Sequence, residues 1–438
     1  MSAMIDEDRA EAPRLALASG FAEGPPGSGS GDPAESWQRL WFTLGALIVY
    51  RIGSYLPIPG VDLLAMVNFL RTSSPGILGL LDLFAGMGVI GNLSIFALGI
   101  LPYISAAVIV ALASRIASRL NSLAARGPMG RRQLNQYARV ITIVLAALQA
   151  SGIALALESY PGLVVAPGFL FEATTVLALS AGAVLVMWIA EQIAVRGIGN
   201  GALVIVVCSI VSHLPFDLSR LFDAVKTGDL NLRWVLGILL MTAALVPLVV
   251  LVERAARWIT IYDPRGEIGV RAADRRYARI ALKLNLAHVW APIAAGILAP
   301  PLSITVASTS GRGTLLYEHF MIAGSGYFLL YGLLIALFSV CFGVATFDAE
   351  QTARTLKDTG GFVPGYRPGE KTARYLRAAQ TALALFGAAS LAVICVLPDV
   401  IYRWVAIWPP LGGYRVFLLV WLMLRILDQM RPSAAPHP

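Results

Sequence analysis

The stretch Ile95 to Val110, IFALGILPYISAAVIV, is apolar enough to sit in a bilayer, yet it places Gly99, Pro102, Tyr103 and Ser105 near its middle. A helix that only fills lipid gains nothing from such residues, because glycine weakens it and proline removes a backbone donor. They are tolerated in a membrane where neighbouring helices or water satisfy the freed backbone groups. The expected reading is one helix with Gly99 and Pro102 inside it. Ile100 and Ile104 are one turn apart and share a face. Ser105 lies about 100° further round.

The rest of the chain has the same character. Its 438 residues are 57% hydrophobic and 14% charged, with a mean hydropathy of +0.71, which exceeds what a soluble core of this length needs. A helix needs about 20 apolar residues to cross a hydrocarbon core of roughly 30 Å. Ten windows qualify, near 40–57, 93–114, 139–157, 172–191, 199–214, 234–252, 284–304, 325–347, 379–397 and 413–430. Cys208, Cys341 and Cys395 fall inside these windows, far apart, and read as ordinary apolar residues rather than a disulfide or metal set. Residues 1–38 hold seven acidic residues and two arginines around GPPGSGSGDP, which predicts a disordered acidic cytoplasmic tail and not a signal peptide.

Positive charge sets the expected orientation. With the N-terminus inside, the cytoplasmic loops 115–139, 191–199, 253–283 and 348–378 carry 21 Lys and Arg, and the outside loops carry 6. That asymmetry predicts a multi-pass protein with both termini cytoplasmic. Ten spans divide into two groups of five, and an odd number per group inverts the second relative to the first. The expected organisation is the tail 1–38, an N-terminal half 39–215, a C-terminal half 216–430 with the basic loops 253–283 and 348–378, and a short tail 431–438. Within the outside segment 57–92, GILGLLDLFAGM (Gly76 to Met87) is too short to span and suits a re-entrant helix. Basic loops of this size suit an acidic partner or RNA, or simply follow the orientation rule.

Catalytic and ion-coupling chemistry find no support. There is no P-loop pattern, and GIGNG (Gly197 to Gly201) lies between two spans, where it reads as a tight turn. His213, His288, His319 and His437 are scattered, without metal-ligand spacing. Carriers coupled to ions keep carboxylates at mid-membrane. Here Glu172 and Glu191 stand at the edges of the fourth window and Asp428 near the end of the tenth. The expectation is a bundle with no catalytic residues, metal or cofactor, acting as a conduit served from the cytoplasm.

Several segments, in order, resemble the SecY family, the central subunit of the bacterial protein-conducting channel. They are FTLGALIVYRIGSYLPIPGVD (Phe42 to Asp62), SIFALGILPYISAAVIV (Ser94 to Val110), EQIAVRGIGNG (Glu191 to Gly201), LKLNLAHV (Leu282 to Val289) and GGFVPGYRPGEKTARYL (Gly360 to Leu376). The resemblance implies an all-α polytopic fold of ten transmembrane helices in two inverted five-helix halves, with a re-entrant plug helix at about 76–90. It implies translocation of unfolded, signal-sequence-bearing polypeptides across the bacterial inner membrane, and lateral release of membrane segments into lipid. The implied partners are the membrane subunits SecE and SecG, the ATPase SecA and the ribosome.

Carried onto this sequence, the family's aliphatic pore ring falls on Ile100, Ile104, Ala202, Val206, Ile293 and Leu418. A narrow apolar ring resists wetting and deforms around many sequences. The lateral-gate contacts implied are Ser105, Gln149 and Asn285. The SecA and ribosome docking residues implied are Arg254, Arg257, Arg367, Lys371 and Arg374. Trp258 stands where the family has a second arginine, and the tenth span opens with GGYR, which introduces Arg415. A specialised or degenerate paralogue serving restricted substrates is the alternative reading.

Overall fold

The computed structural model describes residues 33–62, 65, 94–117, 120, 122–123, 128–158, 162–228, 231–262, 277–284, 289–310, 319–320, 324–346, 349–358, 360–404 and 412–430. Among these the helices are α1 (Pro33–Gly53), α2 (Leu101–Ile116), α3 (Pro128–Glu158), α4 (Phe169–Arg196), α5 (Gly201–Lys226), α6 (Leu232–Arg254), α7 (Trp290–Ser310), α8 (Ser325–Thr346), α9 (Ala349–Asp358), α10 (Glu370–Trp404) and α11 (Gly413–Met430). Each of the ten apolar windows overlaps a helix, and α9 is additional. Five helices among the described residues are long and apolar enough to cross a membrane: Arg132–Glu158, Phe169–Arg196, Arg233–Arg254, Ser325–Gly343 and Glu370–Ile401. Helix α1 begins at Pro33, inside the stretch expected to be tail.

The opening stretch differs from its expectation. Ser94 to Ile100 is a turn, and α2 starts only at Leu101 with Pro102 in its first turn. Gly99 has φ +53°, a left-handed conformation that favours glycine. Pro102 sits where a backbone donor would be orphaned anyway, so it costs the helix nothing. The two residues therefore mark a helix start, not a weak point within a span.

The chain divides into two compact units, one of Met1–Asp229, Pro300–Tyr327 and Leu422–Pro432, the other of Leu230–Ala299, Phe328–Trp421 and Ser433–Pro438. A boundary at 215/216 falls inside α5, which continues through Pro215 to Lys226.

In the first unit α3 packs on α2 and α4, around a core that includes Ala146, Ala150, Ile153, Leu157, Leu179 and Ala183. The small residues among them, Ala146, Ala150 and Ala183, let helix backbones approach closely, which replaces the hydrophobic driving force that lipid does not supply. Gly182 is the extreme case: a Cβ there would collide with the Ile95 carbonyl oxygen. The segment after α1 is stitched to this core by bridges between Pro57 and Ser94 and between Val61 and Val164. Outward residues such as Leu148, Leu155 and Leu177 are exposed, as a lipid-facing surface requires.

The GIGNG run is the turn between α4 and α5. Asn200 caps α5 by accepting from the Ala202 N–H at 3.0 Å, and Thr43 Oγ1 on α1 accepts from Ile198 N–H at 3.0 Å. Asn200→Ala should cost about 1 kcal/mol through the lost cap. A lower thermal midpoint in detergent with unchanged extraction yield checks this.

In the second unit the basic loop 253–283 contains an antiparallel hairpin of β1 (Ala256–Tyr262) and β2 (Tyr277–Lys283). Ile259 and Ile261 are buried while Trp258 and Thr260 are exposed, the period-2 pattern of a one-sided strand. The loop 348–378 likewise contains α9, with Ala349, Ala353 and Leu356 buried along one face.

Candidate functional site

Four of the six expected lining residues lie in the first unit. Ile100 caps the start of α2, and Ile104 N–H donates to the Ile100 carbonyl at 3.1 Å, so the two stack along one face. Ala202 and Val206 occupy the first two turns of α5, placed there by the Asn200 cap. All four are buried. In the second unit Ile293 lies on the first turn of α7 and Leu418 on the second turn of α11, and both are buried. Each of the six is thus an apolar side chain near the N-terminal end of its helix.

Of the three polar gate candidates, Ser105 is on α2 and Gln149 on α3. Ser105 Oγ and Gln149 Oε1 are buried with no hydrogen-bond partner among the described residues. Ser94 Oγ, Thr175 Oγ1 and Ser180 Oγ of the same unit are likewise buried without one among the described residues. Asn285 lies outside the described residues, as do the 76–90 segment and residues 263–276.

The docking candidates belong to the second unit, and the packing there joins two loops that look separate in sequence. Tyr262 N–H donates to the Phe362 carbonyl at 2.8 Å and Phe362 N–H to the Tyr262 carbonyl at 3.0 Å. Their rings meet at 5.2 Å. Beneath them Ile259 and Leu282 of the hairpin share a core with Ala349, Val363, Leu376 and Ala379. The hairpin and the 360–369 loop are therefore one packed body.

On that body Arg254, Arg257, Arg367, Lys371 and Arg374 are all exposed. Arg254 ends α6, and Arg257 faces Leu282 at the base of the hairpin, away from its tip. Trp258, at 64% exposure, stands beside it. Arg367 is held by a stiff frame. Gly365 and Gly369 take φ +89° and +99°, and Thr372 Oγ1 donates to the Arg367 carbonyl at 2.9 Å. Tyr366 stacks on Tyr375 with centroids 4.2 Å apart. Arg374 pairs with Glu370 at 3.1 Å on the open surface, a contact worth little in water.

Sequence reasoning missed two features. One is the hairpin, although the alternation in ARWITIY carried its signal. The other is Asp399, which hydropathy assigned to an outside loop. Helix α10 extends to Trp404, and Asp399 Oδ1 accepts from Gly413 N–H at 3.2 Å, fastening the start of α11. Nothing in the local sequence couples positions fourteen residues apart. Among the described residues no group of three or more His, Cys, Asp or Glu side chains is placed to hold a metal.

The family model for SecY matches residues 94–427. The protein translocase subunit SecY of Escherichia coli (strain K12) is 36% identical over 414 residues, covering 92% of this chain and 93% of that protein. Among solved structures, one of a protein-conducting channel aligns with a TM-score of 0.63 at 17% identity, covering 91% of this chain and 93% of the other. Sec61 in the canine ribosome–channel complex from the endoplasmic reticulum aligns with a TM-score of 0.57 at 16% identity, again over 91% and 93%.

Proposed function

The chain belongs to the SecY family, and on that premise we propose that it forms the protein-conducting channel of a bacterial translocase, passing unfolded polypeptides across the inner membrane and releasing apolar segments sideways into lipid. The observation that carries this reading is the family match, which extends over most of the chain. Six buried aliphatic side chains at the expected ring positions support it. An apolar constriction seals by excluding water and yields to a passing chain without binding it tightly. The orphaned hydroxyl of Ser105 and carbonyl of Gln149 support a gate role. Polar contacts between membrane helices are worth about 0.6 kcal/mol each, weak enough for an entering signal sequence to displace. The proposed membrane partners are SecE- and SecG-type subunits.

On the cytoplasmic side we assign the basic body of hairpin and loop to docking of a SecA-type ATPase through Arg367 and of the ribosome through Arg254 and Arg257. Fixed positive charge steers an acidic partner and sets its register. The exposed Trp258 beside Arg257 changes the chemistry of the ribosome-facing position from a second cation to an aromatic.

The test is depletion of the native channel in a bacterial host, with this chain and its own membrane partners supplied together with a secreted reporter. Restored export is the expected result. No export, with the chain stably assembled and SecA present, would overturn the general-channel reading in favour of a restricted paralogue.

A further inference from the structure

Tyr50, on α1, is almost wholly buried at 3% exposure and touches both the turn that leads into α2 and helix α5, the elements that place the first unit's lining residues. Its ring stacks on Phe96, with centroids 5.9 Å apart and planes 6° from parallel. Phe96 lies in the turn that launches α2, and its carbonyl accepts from Gly99 N–H at 2.8 Å, so it belongs to the backbone path that sets Ile100 in place. One turn beyond Tyr50, Gly53 leaves the space that the Phe96 ring fills. The other end of Tyr50 reaches α5, where its hydroxyl lies 2.8 Å from Ser209 Oγ.

The direction of that second bond follows from proton counting. Ser209 Oγ donates to the Ile205 carbonyl at 3.0 Å. A serine hydroxyl has one proton, so both bonds form together only with Tyr50 as donor and Ser209 as acceptor. The chain of bonds runs from Tyr50 through Ser209 to the backbone of Ile205, the residue next to Val206. Thr43, two turns earlier on α1, holds the turn before α5 through Ile198 N–H. Helix α5 is thus pinned to α1 at both ends of the stretch that carries Ala202 and Val206.

We propose that Tyr50 is a positioning residue for the channel seal, its ring holding the turn that launches Ile100 and Ile104 and its hydroxyl holding the helix that presents Ala202 and Val206. The inference rests on the reading of those four residues as part of the ring. It matters most on the α5 side, because Ala202 is too small to close a gap left by a displaced helix. Loss of the hydrogen bond frees α5 without emptying the core, so it should loosen the closed channel and leave folding intact.

The experiment uses the full chain with its membrane partners, reconstituted into vesicles of phosphatidylethanolamine and phosphatidylglycerol, with potassium efflux measured per assembled channel. Tyr50→Phe keeps the stack and loses the donor, and Ser209→Ala loses the acceptor. Each should raise efflux about threefold, the scale of one polar contact between membrane helices. The double variant should leak no more than either single, and Ser209→Thr should return to the native rate. A merely structural role would lower the amount of assembled protein and leave efflux per channel unchanged. Ile104→Gly is the control for the ring itself. If it leaks while Tyr50→Phe and Ser209→Ala do not, or if the two single effects multiply, the positioning role is overturned and the ring stands. If Ile104→Gly does not leak, the ring reading falls and the inference with it.

Discussion

Arg367→Glu is expected to abolish ATPase-driven export while leaving the chain assembled. The guanidinium is exposed, and the loop is shaped by other groups: Gly365, Gly369, the Thr372 hydroxyl and the Tyr366–Tyr375 stack. The reversal therefore changes charge and not structure. Like charges brought together at an interface cost several kcal/mol, which corresponds to a loss of docking of about a hundredfold or more. Export of a secreted reporter and binding of SecA to reconstituted channels read the effect. Raised salt should weaken native docking and narrow the difference between the two proteins, since screening acts on exposed charges. Undiminished export would remove Arg367 from the docking role. The neighbouring cations Lys371 and Arg374 should matter less, the latter because Glu370 already shares its charge.

Gly182→Val should prevent the protein from accumulating. Helix α4 passes the turn before α2 so closely that a Cβ at position 182 would meet the Ile95 carbonyl oxygen, with the Phe96 ring 3.2 Å away. The obstacle is backbone and cannot rotate aside. Helix α4 would have to move off the turn and lose contacts of Leu179, Ala183 and Val186, all buried. Overpacking of this kind costs about 3 kcal/mol or more, a large share of the stability of any domain. The readouts are yield after detergent extraction and the thermal midpoint of what is recovered. Normal yield with a native midpoint would show that the approach of α4 to the turn is looser than described.

Much of this was legible in the chain itself. Apolar length predicts helices because each residue contributes its transfer free energy independently of distant neighbours, and every one of the ten windows overlaps a helix. The motif segments pointed to the family that the comparisons show. The turn at GIGNG also follows from local chemistry, since glycine and asparagine suit a turn and an N-cap wherever they occur. The hairpin is legible in principle, because ARWITIY alternates, but the arginine-rich sequence around it carries the stronger signal of a basic loop.

What the sequence by itself determined is the membrane character, the helix content, the charge asymmetry between loops and the membership of a family. These follow from short-range properties: transfer free energy, turn propensity and ordered motifs. Only the tertiary structure decided that Gly99 and Pro102 open a helix instead of interrupting one, that the two basic loops share a core through Ile259, Leu282 and Val363, and that Tyr50 stacks on Phe96 and bonds Ser209, 159 residues further along the chain. The physical reason is that a helix end, a shared core and a buried hydrogen bond each depend on which backbone arrives beside a residue. No local pattern records the position of a partner that far along the chain.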